Sequence, residues 1–187
     1  MGWLVSSRPI LHKVPVLRLS VALWLLLSPL IATAGNVRAG DPWPAATLTT
    51  LEGAPLRLDA GSGGAVTCVD FWATWCAKCR EILPRLSALA ERLGGNGLRV
   101  IAVNVGDERE RARDFLAERI PHSSLIVAHD PKGELLAHLG ADGMPALYVI
   151  DRTGTVRVVE SGYDPARLDA VEQTIRTLLE SPPAVRP

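Results

Sequence analysis

The sequence predicts an α/β domain whose sheet contains parallel strands. Two nearly continuous apolar runs, residues 65–71 and 98–105, have the length of buried strands. Between them, residues 81–93 carry apolar side chains at helical spacing, and a strand–helix–strand order implies parallel pairing through a right-handed crossover. The chain has 187 residues, 48% of them hydrophobic, and equal numbers of basic and acidic side chains, which suits one globular domain. No basic run stands out, so nucleic acid is not an expected partner.

The N-terminal 34 residues have the anatomy of a secretory signal peptide. Three basic residues precede an uncharged run at 19–31, and Ala32-Thr33-Ala34 supplies a small-x-small cleavage signal. The alternative is an uncleaved membrane anchor, although a spanning helix needs about 20 apolar residues. We therefore expect a signal peptide over 1–34, a folded domain over 35–180 and a disordered tail over 181–187. The expected location is periplasmic or otherwise extracytoplasmic, with inner-membrane anchoring if the leader is retained.

The remaining elements follow in order. Residues 36–44 contain Gly and Pro and are expected to form a loose segment. A β-hairpin is expected from residues 46–51 and 55–58, which flank Glu52-Gly53. The later elements are expected as helix 108–120, strand 124–128, helix 132–139, strands 146–150 and 155–160, and a last helix from Asp164-Pro165. The histidines of the exported part are expected on loops or helix surfaces: His122, His129 and His138.

Cys76 and Cys79 lie directly after the first apolar run and directly before the first helical pattern. A thiol at a helix N-terminus is close to unpaired backbone N–H groups, which stabilise the thiolate that carries out disulfide exchange. The second cysteine is one turn further on and is able to close a disulfide with the first. A zinc site is the alternative, but the sequence has no second Cys-x-x-Cys or His-x-x-His motif to complete it.

Three motifs in order carry a family resemblance. They are the run from Phe71 to Arg80 (FWATWCAKCR), Pro84 five residues after the second cysteine, and Gly143-Met144-Pro145 followed by a strand and Asp151-x-x-Gly154. With these motifs, residues 40–180 resemble the TlpA/ResA-like family of exported thioredoxin-fold thiol–disulfide oxidoreductases. The resemblance implies a thioredoxin fold with an N-terminal β-hairpin and a central αβ insertion at about 108–128.

The resemblance also implies roles for residues. Cys76 would be the nucleophile and Cys79 the resolving cysteine. Met144-Pro145 would be a cis peptide bond that faces the disulfide, and Trp75, Met144 and Pro145 would contact the substrate. The family needs no cofactor or metal beyond its redox-active disulfide. Its partners would be exported proteins with cysteines, such as apo-cytochrome c or copper-site proteins, and a membrane thiol electron donor.

Three positions depart from the family pattern. In the ResA-like branch, Asn usually takes the place of Asp70, and a Glu takes the place of Ile82. Asp70 instead matches the buried Asp of thioredoxins, where a carboxylate under the disulfide takes the proton of the resolving thiol, and burial is expected to raise its pKa. Lys78 replaces a common Pro; its cation is expected either to favour the Cys76 thiolate or, as an exposed charge, to be screened by solvent.

Several alternatives remain open on the sequence. Lys78 would also suit a net oxidant of exported proteins. A copper-binding chaperone would use the thiolates of Cys76 and Cys79 as soft ligands, although no suitable distal His is evident near Pro145. Peroxidase activity of the peroxiredoxin type is not expected. Cys68 would be left over as a buried, inert thiol.

Overall fold

The computed structural model describes residues 1–2, 35–59, 64–162 and 164–181. Residues 3–34, 60–63, 163 and 182–187 therefore lie outside the described residues, and with them almost all of the expected signal peptide and most of the expected tail. In the compact unit that follows the leader, seven described strands form one mixed sheet in the order β2-β1-β5-β4-β3-β6-β7. Within the described residues, no helix is both long and apolar enough to cross a membrane.

The helices and strands alternate as the sequence predicts. Their bounds are β1 Ala46–Thr49, β2 Pro55–Leu58, β3 Val66–Trp72, α1 Ala77–Leu93, β4 Leu98–Val105, α2 Arg109–Arg119, β5 Ile126–Asp130, α3 Glu134–Leu139, β6 Ala146–Ile150, β7 Val156–Ser161 and α4 Leu168–Glu180. Short 3₁₀ turns, Gly94–Asn96 and Pro165–Arg167, follow α1 and precede α4. Strands β3, β4 and β5 are parallel, and β6 runs antiparallel to β3.

The central strand β3 is buried on both faces, since all seven of its residues are buried. Its alternating side chains enter different parts of the core. Cys68 packs in the cluster that contains the apolar faces of α1 and α4, whereas Val69 and Phe71 pack in the cluster with Tyr148 and Trp43. A strand enclosed in this way holds the segment that follows it, and that segment carries the cysteines.

The N-terminal segment before β1 is not loose, and that expectation is wrong. Gly40 N–H donates to the carbonyl of Val156 at 2.8 Å, and Trp43 N–H donates to the carbonyl of Gly154 at 2.8 Å. The indole of Trp43 is buried; its Nε1–H donates to the carbonyl of Leu58, and its ring meets Tyr148 edge-on. The Gly and Pro residues therefore do not make this segment loose, because hydrogen bonds and the buried Trp43 side chain hold it against the sheet.

Strand β5 begins and ends two residues later than expected, and the expectation for His129 is also wrong. His129 lies in β5 opposite Asn104 of β4 and is buried. The last residue of β5, Asp130, is buried as well, and its carboxylate accepts hydrogen bonds from Glu134 N–H and Leu135 N–H at the start of α3. Both polar side chains are tolerated inside because each has hydrogen-bond partners.

Candidate active site

The candidate site lies at the edge of the sheet where the parallel strands end. Trp72, Asn104 and His129 occupy one row across β3, β4 and β5, so the segments that follow these strands meet at the same edge. Strand β6 runs the other way and begins there, with Ala146 opposite Phe71. The topology therefore brings the Cys-x-x-Cys segment next to Met144-Pro145, which are distant in sequence.

Cys76 and Cys79 form a disulfide, with their Cα atoms 5.3 Å apart. Cys76 is the N-cap residue of α1, and its sulfur accepts a hydrogen bond from the backbone N–H of Cys79 at 3.2 Å. No acidic residue lies in the first turn of α1. The free N–H groups and the helix dipole favour negative charge at this position, so the Cys76 sulfur occupies the place where a thiolate is stabilised.

The two sulfurs differ in access. Cys76 keeps 8% of its surface exposed, whereas Cys79 is fully buried at 0%. Both pack in one cluster with Trp72, Leu83 and, at its margin, Met144. A group that approaches from solvent can therefore reach the sulfur of Cys76, whereas the surrounding protein shields the sulfur of Cys79.

Asp70 is fully buried in β3, opposite Ala102 on one side and Leu147 on the other. Strand alternation puts it on the same face as Cys68 and Trp72, and that face packs under α1. Burial and, to a smaller extent, the charge of Asp70 raise the pKa of the Cys68 thiol. The carboxyl group therefore lies on the side of the sheet that carries the disulfide.

The expected substrate-contact residues lie around the disulfide. Met144-Pro145 is a cis peptide bond, and the carbonyl of Pro145 accepts a hydrogen bond from Gly162 N–H at 2.8 Å. Met144 is partly buried against the cluster that contains both cysteines. Trp75 is 61% exposed, an unusual position for a large aromatic side chain, and it immediately precedes Cys76.

Lys78 is exposed on the first turn of α1, and its ammonium group donates to the carbonyl of Gly162 at 3.2 Å. Gly162 in turn holds Pro145. The side chain thus links α1 to the segment beside the cis bond. Its expected influence on the Cys76 thiolate stays a prediction.

A buried polar cluster behind the cysteine segment was not foreseen from the sequence. The carboxylate of Asp107, in the turn after β4, accepts hydrogen bonds from both the N–H and the hydroxyl of Thr74 at 2.7 Å. It also accepts one from the side-chain amide of Asn104 at 2.9 Å. The ring of His129 contacts the backbone carbonyl of Asp107 at 2.8 Å. One sequence feature could have indicated Asp107: it follows a buried strand that was expected to lie parallel to the strand preceding the cysteines.

Across the described parts of the chain, no group of three or more His, Cys, Asp or Glu side chains is arranged to hold a metal ion. The edge of the sheet carries a disulfide with one accessible sulfur and the exposed Trp75, and the buried carboxyl group of Asp70 lies on the same side of the sheet.

Comparisons with known proteins agree with this geometry. A family model described as Redoxin matches residues 38–177, which is most of the chain. The chain belongs to the Redoxin family. Within it, the thiol-disulfide oxidoreductase ResA of Geobacillus thermodenitrificans is 30% identical over 84% of this chain and 89% of its own length. The thiol:disulfide interchange protein DsbE of Pseudomonas fluorescens biotype C is 35% identical, and the match covers 63% of this chain and 64% of that protein.

A solved structure shows the same fold. A Chlorobium tepidum protein, described as a candidate thiol:disulfide interchange protein DsbE, superposes with a TM-score of 0.70 at 34% identity, over 76% of this chain and 99% of that one. The TlpA/ResA-like resemblance, the thioredoxin fold and the class of thiol–disulfide oxidoreductase are therefore confirmed for this member of the Redoxin family.

Proposed function

We propose that this protein is an extracytoplasmic thiol–disulfide oxidoreductase that reduces disulfides of exported proteins through the Cys76/Cys79 dithiol. The difference in access between the two sulfurs carries the proposal, because it makes Cys76 the point of attack and keeps Cys79 for the second step. The signal-peptide pattern of residues 1–34 supports export, and removal of the leader would leave the domain that starts at residue 35.

The reaction has two exchange steps. The Cys76 thiolate attacks one sulfur of the substrate disulfide, forms a mixed disulfide and releases the other substrate sulfur as a thiolate. The Cys79 thiol then gives its proton to Asp70, and the resulting thiolate attacks the Cys76 sulfur. This second step releases the reduced substrate and leaves the Cys76–Cys79 disulfide. Two electrons have passed to the substrate, and a membrane thiol donor would return the disulfide to the dithiol.

The surroundings of the disulfide suit an extended peptide. The exposed Trp75 and the Met144-Pro145 segment flank the accessible sulfur and offer apolar surface and backbone groups. The family resemblance favours cysteine pairs of apo-cytochrome c or of copper-site proteins as substrates.

A trapping experiment tests this function. In Cys79→Ser, the mixed disulfide through Cys76 has no resolving thiol, so stable adducts with exported proteins are expected and mass spectrometry would identify them. Cys76→Ser is the matched control and should trap nothing. Cys68→Ser in the Cys79→Ser background should trap as well as Cys79→Ser, because Cys68 is fully buried. Adducts that depend on Cys68, or an absence of adducts, would contradict the proposal.

The direction of electron flow needs its own measurement. A net oxidant is the alternative, and the cation of Lys78 would suit it because a stabilised thiolate makes a disulfide more oxidising. We expect the glutathione-equilibrated reduction potential of Cys76/Cys79 to be below about −200 mV, as for a reductant, whereas a value near about −120 mV would show an oxidant. Lys78→Met serves as the matched variant; an unchanged potential would show that the Lys78 charge is screened.

A further inference from the structure

A tight turn places Cys76 at the start of α1. The N–H of Cys76 donates to the carbonyl of Ala73 at 3.1 Å, which closes the turn over Ala73, Thr74, Trp75 and Cys76. Trp75 is on the exposed side of this turn, and Thr74 is on its buried side. The turn lies between β3 and α1 and belongs to neither, and Thr74 supplies its buried polar contacts.

Thr74 is held by one carboxylate. The two oxygens of Asp107 accept separate hydrogen bonds, one from the Thr74 N–H and one from its hydroxyl, both at 2.7 Å. Thr74 and Asp107 are 7% and 5% exposed, so water competes little for these bonds. Hydrogen bonds to a charged acceptor are among the stronger ones in proteins, and two of them on one residue define its orientation as well as its position.

The carboxylate is itself held in place. Asn104 donates its side-chain amide to Asp107, and Arg111 approaches it from α2 at 3.8 Å. His129 fixes the backbone on the other side. A carbonyl oxygen only accepts, so the His129 Nε2–H donates to the carbonyl of Asp107, while Nδ1 accepts from Arg109. Arg109 also donates to Thr49 in β1. The pair of hydrogen bonds between Thr74 and Asp107, called the Thr74–Asp107 clamp below, is therefore supported by residues of three strands, β1, β4 and β5.

We propose that Asp107 and Thr74 are positioning residues for the Cys76 sulfur, and that the Asp107 carboxylate holds the turn that keeps this sulfur at the N-cap of α1. The inference rests on the proposed function of Cys76 as nucleophile. Each residue acts on the sulfur through the backbone of the turn. A sulfur that leaves the N-cap loses the hydrogen bond from Cys79 N–H and the favourable end of the helix dipole.

Thr74→Val is the decisive variant. It keeps the branched shape and the backbone N–H of residue 74, removes the hydroxyl donor and leaves the Asp107 charge in place. We expect the pKa of Cys76 to rise and the rate constant for reduction of a protein disulfide to fall about tenfold or more, since small misplacements of a reacting group carry costs of this size. Thr74→Ser restores the hydroxyl and should restore both values.

Thr67→Val is the matched control. Thr67 is a fully buried threonine of β3 whose hydroxyl has no hydrogen-bond partner within the described part of the chain. The same substitution there should leave the pKa of Cys76 and the rate constant unchanged. The measurement is the pH profile of iodoacetamide alkylation of Cys76 in the reduced protein, resolved by peptide mass spectrometry, together with the rate of disulfide reduction and the thermal melt.

These measurements distinguish a positioning role of the Thr74–Asp107 clamp from a purely structural one. A lower melting temperature with a wild-type alkylation profile and rate would overturn the proposal and leave the clamp a purely structural contact. If Thr74→Val does not fold, Asp107→Asn replaces it. Loss of a mere charge would lower the pKa of Cys76, whereas loss of positioning would raise it, so a lowered pKa overturns the proposal. If the wild-type protein reduces no disulfide, the proposed function fails, while the alkylation profile still tests the clamp.

Discussion

Asp70 is the residue that we propose as the proton acceptor in the second chemical step. A carboxyl group buried at 0% exposure in a central strand is costly, and such groups are retained where they bind or react. Its face of β3 packs under α1, where Cys79 is also fully buried. Because Cys79 is shielded from solvent, a buried carboxyl group on the same side of the sheet is the proposed acceptor of its proton.

Asp70→Asn tests this role. Because the amide is almost isosteric but no longer a base, we expect the first step to keep its rate and the second step to slow on the order of 100-fold. The mixed disulfide should then accumulate, and acid quenching followed by mass spectrometry would measure it. Cys68→Ala, two residues earlier on the same face, is the control and should show no accumulation. A second step as fast in Asp70→Asn as in wild type would rule the role out.

At this scale the sequence predicted part of the site. Local motifs and a family resemblance singled out Cys76, Cys79, Asp70 and Pro145, and their roles in the reaction stay predictions. The Thr74–Asp107 clamp was not singled out, because its partners are 33 residues apart and Asp107 belongs to none of the motifs. His129 was missed for a related reason: a histidine near a predicted strand end usually indicates a loop, and only the contacts with Asp107 and Arg109 make its burial tolerable.

Among the elements, the turn between β6 and β7 shows how one side chain stabilises a hairpin. One carboxylate oxygen of Asp151 accepts hydrogen bonds from the N–H groups of Thr153 and Thr155 at 2.8 and 3.0 Å. The other oxygen accepts one from Arg157 at 2.6 Å. Burial pushes the pKa of the Asp151 carboxyl upward, but the hydrogen bonds from Thr153, Thr155 and Arg157 outweigh burial and hold that pKa below its usual value.

Acid should therefore weaken this turn. A carboxyl group whose folded pKa is depressed stabilises the fold above its unfolded pKa, about 3.9 for Asp, and that contribution is lost as the pH falls through the lower folded value. Asp151→Asn should reduce the free energy of unfolding by about 1–3 kcal/mol at neutral pH. The difference from wild type should shrink below about pH 4.

Urea unfolding at several pH values measures this difference. Asp114→Asn, in an exposed position on α2, is the matched control and should behave like wild type at every pH. A difference between wild type and Asp151→Asn that stays constant down to the acid limit would show that the charge of Asp151 is not what stabilises the turn.

Most element positions followed from the sequence because periodicity and turn residues are local signals. The hairpin, β3, α1, β4 and the later hairpin were expected close to where they lie. Strand β5 was displaced because its polar end, His129 and Asp130, resembles a loop in sequence. Those side chains are satisfied only by residues of α2, α3 and the turn after β4, and a local pattern carries no information on such partners.

Across the whole molecule, the segment before β1 ties distant parts of the sheet together. Its hydrogen bonds reach β7 through Val156 and the end of α3 through Leu139. Trp43 then reaches β2 through the carbonyl of Leu58 and β6 through Tyr148, with ring centroids 5.5 Å apart. Strands β2 and β7 are the two ends of the sheet order, so this segment joins both edges of the domain.

Two truncations test where the folded domain begins. A chain that starts at residue 35 keeps every contact of this segment and should match the full chain in unfolding free energy and disulfide reduction. A chain that starts at residue 45 loses these contacts and should be strongly destabilised. Trp43→Ala in the longer chain should account for about 3–5 kcal/mol of that loss, the usual cost of removing a buried Trp. Urea unfolding followed by circular dichroism measures the stability of both truncated chains and of the Trp43→Ala variant.

Equal stability of the two truncated chains would contradict the role of this segment in joining the two edges. If the chain that starts at residue 35 is itself unstable, the folded domain begins before residue 35.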